Sequence, residues 1–523
     1  MIEDPELVKA VAGILQRSEK QQDLQKLVGT FVDVGILPQI DNLNNQIIYG
    51  RRGTGKTHIL RVLASGLRTN IHNVVVYIDA RTLGSTNQFT DTDISIKQRC
   101  LALFRDIFVE IHSGLLSHII YQPSTDAVGA LASLDELSKV MLDPVVRYAT
   151  ETVVSRDLDK QTNQAIAGVS ADSKKGFSVK LEGNSGDSVE NEKTTSYRVQ
   201  EDDKIIFPDL INILKEVLRK ADAELYVLLD EWSSIPMDIQ PYLAEFIKRG
   251  FLPSSKVIFK IASLEYRSNF SLRLESGSFV GFELGADIST AVDIDDYYVY
   301  DRNAFRITQA FADMLYKHIG VDLPQSYLNT KHKIKTGTEL PSKMFTNKLA
   351  FDELVRASEG VARDLINIFN KAFFDAHRRG LEMIDKKAIL EASRQWFEQD
   401  KENSLDGDLR RVLKRIVEEV IGHRKARSFM LPRELEKNNI IQKLFDARVL
   451  HLMQRGYADK DNPGTRYNIY TLDYGTYVDL INTSKQPQID LIDGDVSETG
   501  EFIVPFDDKR SIRRIVLTQV DLN

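Results

Sequence analysis

Residues 50–57 read Gly50-Arg51-Arg52-Gly53-Thr54-Gly55-Lys56-Thr57, residue types that can hold a chain of phosphates. Successive backbone N–H groups at a helix N-terminus bind phosphate oxygens, and Gly50, Gly53 and Gly55 keep Cβ atoms out of the way. The Lys56 ammonium would lie against β- and γ-phosphates, and the Thr57 hydroxyl would take one position on Mg2+. A second constellation, Asp230-Glu231, follows the apolar run 225–229. Asp230 would hold the hydration shell of the cation, and Glu231 would orient and polarise the water that attacks the γ-phosphate. Ser263, directly after Ile261-Ala262, is of the type that senses the γ-phosphate from a strand end. Beyond it, Arg267 and Arg273 are candidates for an arginine finger reaching a neighbouring subunit's phosphate. Arg51, Arg52 and Thr54 complete the expected binding loop. The chemistry specified is hydrolysis of a phosphoanhydride, with ATP and Mg2+ as ligands.

These side chains need a sheet to position them. The run Gln46-Ile47-Ile48-Tyr49 reads as the strand before the loop, and His58-Ile59-Leu60-Arg61-Val62-Leu63 as the helix after it. Residues 74–78, 225–229 and 257–262 have the continuous apolar character of strands buried on both faces of a parallel sheet. Helical segments lie between them, so the pattern is α/β, with Asp230-Glu231 at the carboxyl end of a strand adjacent to that of the loop. Residues 31–38 lead into the first strand, where a purine pocket is commonly lined. About 145 residues separate the second strand from the third, far more than a crossover needs. Within this insertion 97–150 reads as helical. Phe177, Val179 and Leu181 alternate with polar residues, as do Thr195, Tyr197 and Val199, around Gly183-Asn184-Ser185-Gly186-Asp187. That spacing predicts a projecting β-hairpin. A guanine-reading Asn-Lys-x-Asp is missing, since Asn347-Lys348-Leu349-Ala350 lacks the aspartate.

With 523 residues the chain should hold about three domains. No window reaches the run of apolar residues that a membrane helix needs, and Met1-Ile2-Glu3-Asp4-Pro5 lacks the features of a signal peptide. A cytoplasmic location is therefore the expectation. The sole cysteine, Cys100, excludes an intramolecular disulfide and a cysteine-based zinc site. A formal charge of −8 argues against a surface that coats nucleic acid all over, so any such contact must be local. The excess of basic residues falls in 405–485, with 15 Lys and Arg against 11 Asp and Glu.

Downstream, Ile307, Phe311, Met314 and Leu315 share a helical stripe, and 351–399 forms a second helical module. After a linker at 401–408 come a helix at 408–422, a short helix at 432–437, a helix at 440–454, a turn at 459–464 and a strand at 466–472. This is the order of a winged helix, which binds duplex DNA with its third helix and wing or docks proteins. Lys443, Arg448, Lys460 and Arg466 are the candidate DNA contacts. The tail, 486–523, carries Phe502-Ile503-Val504 and Ile515-Val516-Leu517 and reads as short strands.

With 50–57, Asp230-Glu231, Ser263 and Ser358-Glu359-Gly360-Val361-Ala362-Arg363-Asp364-Leu365, the chain resembles the AAA+ ATPases, and among them the initiator-like Orc1/Cdc6 clade. The resemblance implies an AAA+ nucleotide-binding domain over 1–300 with an insertion around 97–205, a helical lid over 301–402 and a winged-helix domain over 405–485. It implies that Arg363, in a Gly-x-x-Arg at the start of a lid helix, senses the γ-phosphate. It further implies an ATPase whose lid movement controls engagement of DNA. The competing expectation is an ATPase switch in a multi-protein system, antiphage defence among them, that docks a protein effector. A homo-oligomer is left open by the long insertion and the lack of a clean arginine-finger motif.

Overall fold

The computed structural model describes residues 1–15, 20–21, 23–84, 93–122, 126–142, 145–156, 166–172, 190–202, 205–299, 304–424, 426–458, 464–476, 478 and 515–518. Strand β1 (Gln46–Tyr49) runs into the loop of 50–55 and the phosphate-loop helix Lys56–Leu67, after which β2 (Asn73–Asp79) returns to the sheet. Chain segments 101–224 and 246–256 form one compact unit, and the remainder forms another. Within the smaller unit, helices Ala127–Leu142 and Phe207–Lys220 enclose a core in which Phe104 is surrounded by the rings of Phe207, Phe246 and Phe251, at centroid distances of 5.2–6.2 Å.

The same unit holds β3 (Val145–Arg156), β4 (Ile166–Asp172) and β5 (Glu190–Asp202) in an antiparallel sheet of order β4-β3-β5. This corrects the expectation of helix as far as residue 150. Helix gives way to strand at Val145, where Val, Tyr and Thr alternate with other residues, and Thr195 and Tyr197 pair with Glu151 and Ala149 of β3. Phe177, Val179, Leu181 and the 183–187 turn lie outside the described residues.

In the larger unit, β6 (Glu224–Asp230) and β7 (Val257–Ser263) are buried along nearly their whole length, as continuous Leu, Val and Ile runs require. A small hairpin, β8 (Ser271–Arg273) and β9 (Phe279–Gly281), follows, and β10 (Thr290–Asp293) rejoins the main sheet. The parallel sheet has the order β10-β1-β7-β6-β2. Two sequence expectations change here. β2 is an edge strand, so Val75 and Tyr77 are only half-buried while Val74, Val76 and Ile78 face the core. The strand carrying Asp230 is not adjacent to β1, because β7 lies between them.

Helices Ala304–Ile319, Lys348–Ala357, Ala362–Arg378 and Lys386–Trp396 bury Ile307, Phe311, Leu354, Leu365, Ile368 and Phe373 against one another in the main core. The C-terminal region comprises helix Gly407–Val417, β11 (Ser428–Pro432), a single helical turn at Arg433–Lys437, helix Asn439–Asp446, β12 (Leu450–Ala458) and β13 (Arg466–Leu472). The strands form an antiparallel sheet, β11-β13-β12, completing a winged helix. Its third helix begins where Asn438 Oδ1 accepts from Ile440 N at 2.8 Å. It stops at Asp446, earlier than periodicity predicts. Arg448 takes a left-handed φ of 62°, and the residues beyond Val449 pair with β13 instead of continuing the helix. Of the tail, 515–518 is described: Met430 N donates to Ile515 O at 2.8 Å, and Leu517 N to Met430 O at 3.0 Å, adding an extra pairing along β11. Phe502-Ile503-Val504 lies outside the described residues.

Candidate functional site

Gly53 and Gly55 take φ values of 85° and 101°, the left-handed region in which a Cβ is penalised. A Cβ on Gly53 would lie 2.7 Å from Cβ of Arg363. Arg363 N donates to Gly53 O at 3.1 Å, so helix Ala362–Arg378 starts directly on the loop. Its approach depends on Gly360, with φ of 75°, where a Cβ would meet Tyr298 O at 2.2 Å. Lys56 is buried, with Nζ donating to Gly50 O at 2.6 Å and Arg51 O at 3.0 Å. Burial lowers its pKa, opposed by the nearby charges of Glu231, Asp295 and Asp230.

Asp230 is fully buried at the end of β6. Its Oδ2 accepts from Thr57 Oγ1 at 2.6 Å and from Tyr77 OH at 2.7 Å, while Oδ1 accepts from Glu231 N at 2.8 Å. The two side chains expected on Mg2+ are thus within one hydrogen bond of each other. Glu231 sits at a φ of 55°, strained for a residue with a Cβ, and its side chain lines the same cavity as the loop. Its pKa is raised, first by burial and then by the Asp230 charge.

The cavity measures about 570 Å3, within the range of sites that take drug-sized ligands. Its lining includes the polar loop Gly53 to Thr57 with Arg52, Glu231, Arg81 and Arg363, and the apolar Ile14, Leu27, Phe31, Val32 and Met314. His58 and His318, which the sequence reading missed, also line it. His58 Nε2 donates to Leu27 O at 2.6 Å, and its ring meets Phe31 edge-on at 5.3 Å. Burial, with the neighbouring His58, pushes His318 down to about 4. The signal for His318 was its i+4 spacing from Met314 on one helix. Among the described residues no group of three or more His, Cys, Asp or Glu could hold a metal. Mg2+ would instead rest on Thr57 and Asp230, with phosphate and water completing its shell.

The remaining candidates fall in varied places. Ser263 pairs in register with Tyr49, one residue before the loop, but is fully buried and bonds to the Ser268 hydroxyl. Arg267 is half-exposed, and its Nε donates to Asp446 Oδ2 of the winged helix at 2.6 Å. Arg273 is exposed on the small hairpin. Lys443 and Arg466 are exposed, the latter donating to Gly456 O at 3.3 Å, and Lys460 lies outside the described residues.

Arg448 is a correction. It is buried, pairing with Asp364 at 2.5 Å and with Asp400, because the left-handed turn after the third helix points it inward. A surface DNA contact is excluded in this arrangement. Asp364, next to Arg363, also meets Lys401 at 2.9 Å and accepts from Trp396 Nε1 at 3.1 Å. Lys401 in turn meets Asp473 at 2.5 Å.

Arg51 is likewise internal. Its N and Nε reach Asp295 Oδ2 at 3.0 and 3.1 Å, and Nη2 donates to Glu359 O at 3.1 Å. Nη1 donates to Nδ1 of His451 in the winged helix. Burial and the Arg51 charge hold His451 down to about 3, so the neutral ring accepts at Nδ1 and donates from Nε2 to Asp473 Oδ2 at 2.9 Å.

Residues 17–81 match the ORC-CDC6-like family model. The match spans β1, the phosphate loop, its helix and β2, so the resemblance read from 50–57 holds over that segment. No curated protein sequence matches the chain. Among solved structures, the ORC2 protein of Aeropyrum pernix (ADPNP-ADP complexes) is 11% identical, covering 88% of this chain and 91% of its own at a TM-score of 0.33. Cdc6p from Pyrobaculum aerophilum is 12% identical over 91% and 96%, also at 0.33. The RuvB Holliday junction branch migration motor of Thermotoga maritima is 9% identical over 88% and 94%, at 0.32. The fold stands on the sheet order and the loop. No helix among the described residues is long and apolar enough to cross a membrane.

Proposed function

We propose that this chain binds and hydrolyses ATP and uses the nucleotide state to control a partner through its winged helix. One observation carries the reading: the Thr57 hydroxyl and the Asp230 carboxylate meet at 2.6 Å beside a strained Glu231 that lines the loop's own cavity. Lys56 would exchange its loop carbonyls for β- and γ-oxygens, since a triphosphate offers the buried ammonium a full opposite charge. Glu231 would hold a water in line with the γ-phosphate and accept its proton, a role that its raised pKa suits. Arg363 would reach the γ-phosphate from a helix already bonded to Gly53, which links the helical region to the state of the site. Mg2+ on Thr57 and Asp230 would supply charge neutralisation across the phosphates.

DNA is the leading partner, for which the winged-helix architecture and the exposed Lys443 and Arg466 are the support. The burial of Arg448 favours a second reading, in which the winged helix docks a protein effector and the chain acts as an ATPase switch. Fluorescence anisotropy with duplex DNA, with and without ATP, separates them. The DNA reading expects salt-dependent binding that changes with nucleotide; absence of such binding in both states leaves the effector reading.

A further inference from the structure

Arg51 stands inside the phosphate loop, yet much of what holds its guanidinium comes from a region 400 residues away. His451 accepts from Nη1, and the ring of Phe445, on the third helix of the winged helix, lies 5.9 Å beneath the guanidinium. On its other side His451 donates to Asp473, which meets Lys401, which meets Asp364. Asp364 follows Arg363, whose backbone N–H bonds back to Gly53. The contacts therefore close a ring: phosphate loop, winged helix, helical region, phosphate loop. Arg51, His451, Asp473, Lys401 and Asp364 are all at most 7% exposed, so each polar group depends on its neighbours in place of water.

We propose that His451, aided by Phe445, is a positioning residue for the phosphate loop, so that nucleotide affinity depends on the winged helix being seated. The proposal rests on the loop being a nucleotide site. Moving the winged helix strips Arg51 of the His451 acceptor and the Phe445 ring while leaving Asp295 and the Glu359 carbonyl. The arginine and the loop backbone attached to it then lose their fixed geometry. A partner that pulls the winged helix away would weaken nucleotide binding, and nucleotide would oppose that partner by the same factor.

The test is titration of the full-length chain with a fluorescent ATP analogue. His451→Ala should weaken binding about tenfold, the loss of a hydrogen bond to a charged group. His451→Gln should stay within about twofold, because its amide can accept from Arg51 and donate to Asp473. Phe445→Leu keeps apolar volume but removes the ring, and should weaken binding about threefold. Tyr474→Phe is the stability control: it removes a buried bond to Glu353 that does not touch the loop, and should leave affinity unchanged. Wild-type affinity in His451→Ala would overturn the proposal, as would an equal loss in Tyr474→Phe. Should His451→Ala not fold, unchanged affinity in Phe445→Leu overturns it. Lys56→Ala checks the underlying reading: undiminished binding there brings down the nucleotide site itself, an outcome distinct from a failure of His451 alone.

Discussion

Arg448 gives a sharp quantitative test, because two incompatible roles make opposite predictions for one substitution. Its guanidinium is 7% exposed and Asp364 is fully buried. At a charge separation of about 4 Å and an effective dielectric of about 20, their attraction is about 4 kcal/mol. Replacing Arg448 by Met keeps the aliphatic stem but leaves Asp364 and Asp473 sharing the single cation Lys401. Removing one partner of a buried pair in this way should cost about 3 kcal/mol. Trp396 reports on the site, since its indole N–H bonds Asp364, and the only other tryptophan is Trp232. Urea unfolding followed by fluorescence in a Trp232→Phe background should therefore show R448M unfolding at clearly lower denaturant. Adding Asp364→Asn should recover about 1 kcal/mol, because the stranded charge is gone. Lys443→Ala, exposed on the helix that precedes Arg448, should stay within about 0.5 kcal/mol of wild type. The reasoning is refuted if R448M unfolds with Lys443→Ala and instead loses DNA affinity with a shallower salt dependence, the behaviour of a surface phosphate contact.

Two further expectations concern the site. Arg363→Ala should retain ATP binding, which Lys56 and the loop supply, and lose turnover by about a hundredfold; normal phosphate release would remove Arg363 from the mechanism. Glu231 must be ionised to polarise water, and burial beside Asp230 raises its pKa. Turnover should thus be present above this raised value and be lost, as pH falls, earlier than for an ordinary glutamate. A profile that stays flat from neutrality down to about pH 5 would contradict that sign.

The phosphate loop was legible because its chemistry is local: glycines at fixed spacing, a lysine and a hydroxyl between a strand and a helix. Asp230-Glu231 was legible as a strand end, but its neighbour was not, since β7 enters between β1 and β6 only through sheet order. β10 went unread because Thr290-Ala291-Val292-Asp293 is too short and polar to announce a strand. In the C-terminal region, Ile441, Leu444, Phe445, Val449, Leu452 and Met453 satisfy helical spacing throughout. A left-handed Arg448 and pairing with β13 decide otherwise, and neither has a signal within the segment. The same turn converts Arg448 from an apparent surface cation into an internal one. Arg51 and His451 show the limit most clearly: a loop arginine and a distant histidine meet only in the folded chain.

The central claim is hydrolysis at a site built from Lys56, Thr57, Asp230 and Glu231. Phosphate release and ATP binding measured side by side for wild type and Glu231→Gln test it most directly. The account predicts wild-type binding in the variant, with turnover reduced at least about a hundredfold. Equal turnover in the two proteins would contradict it.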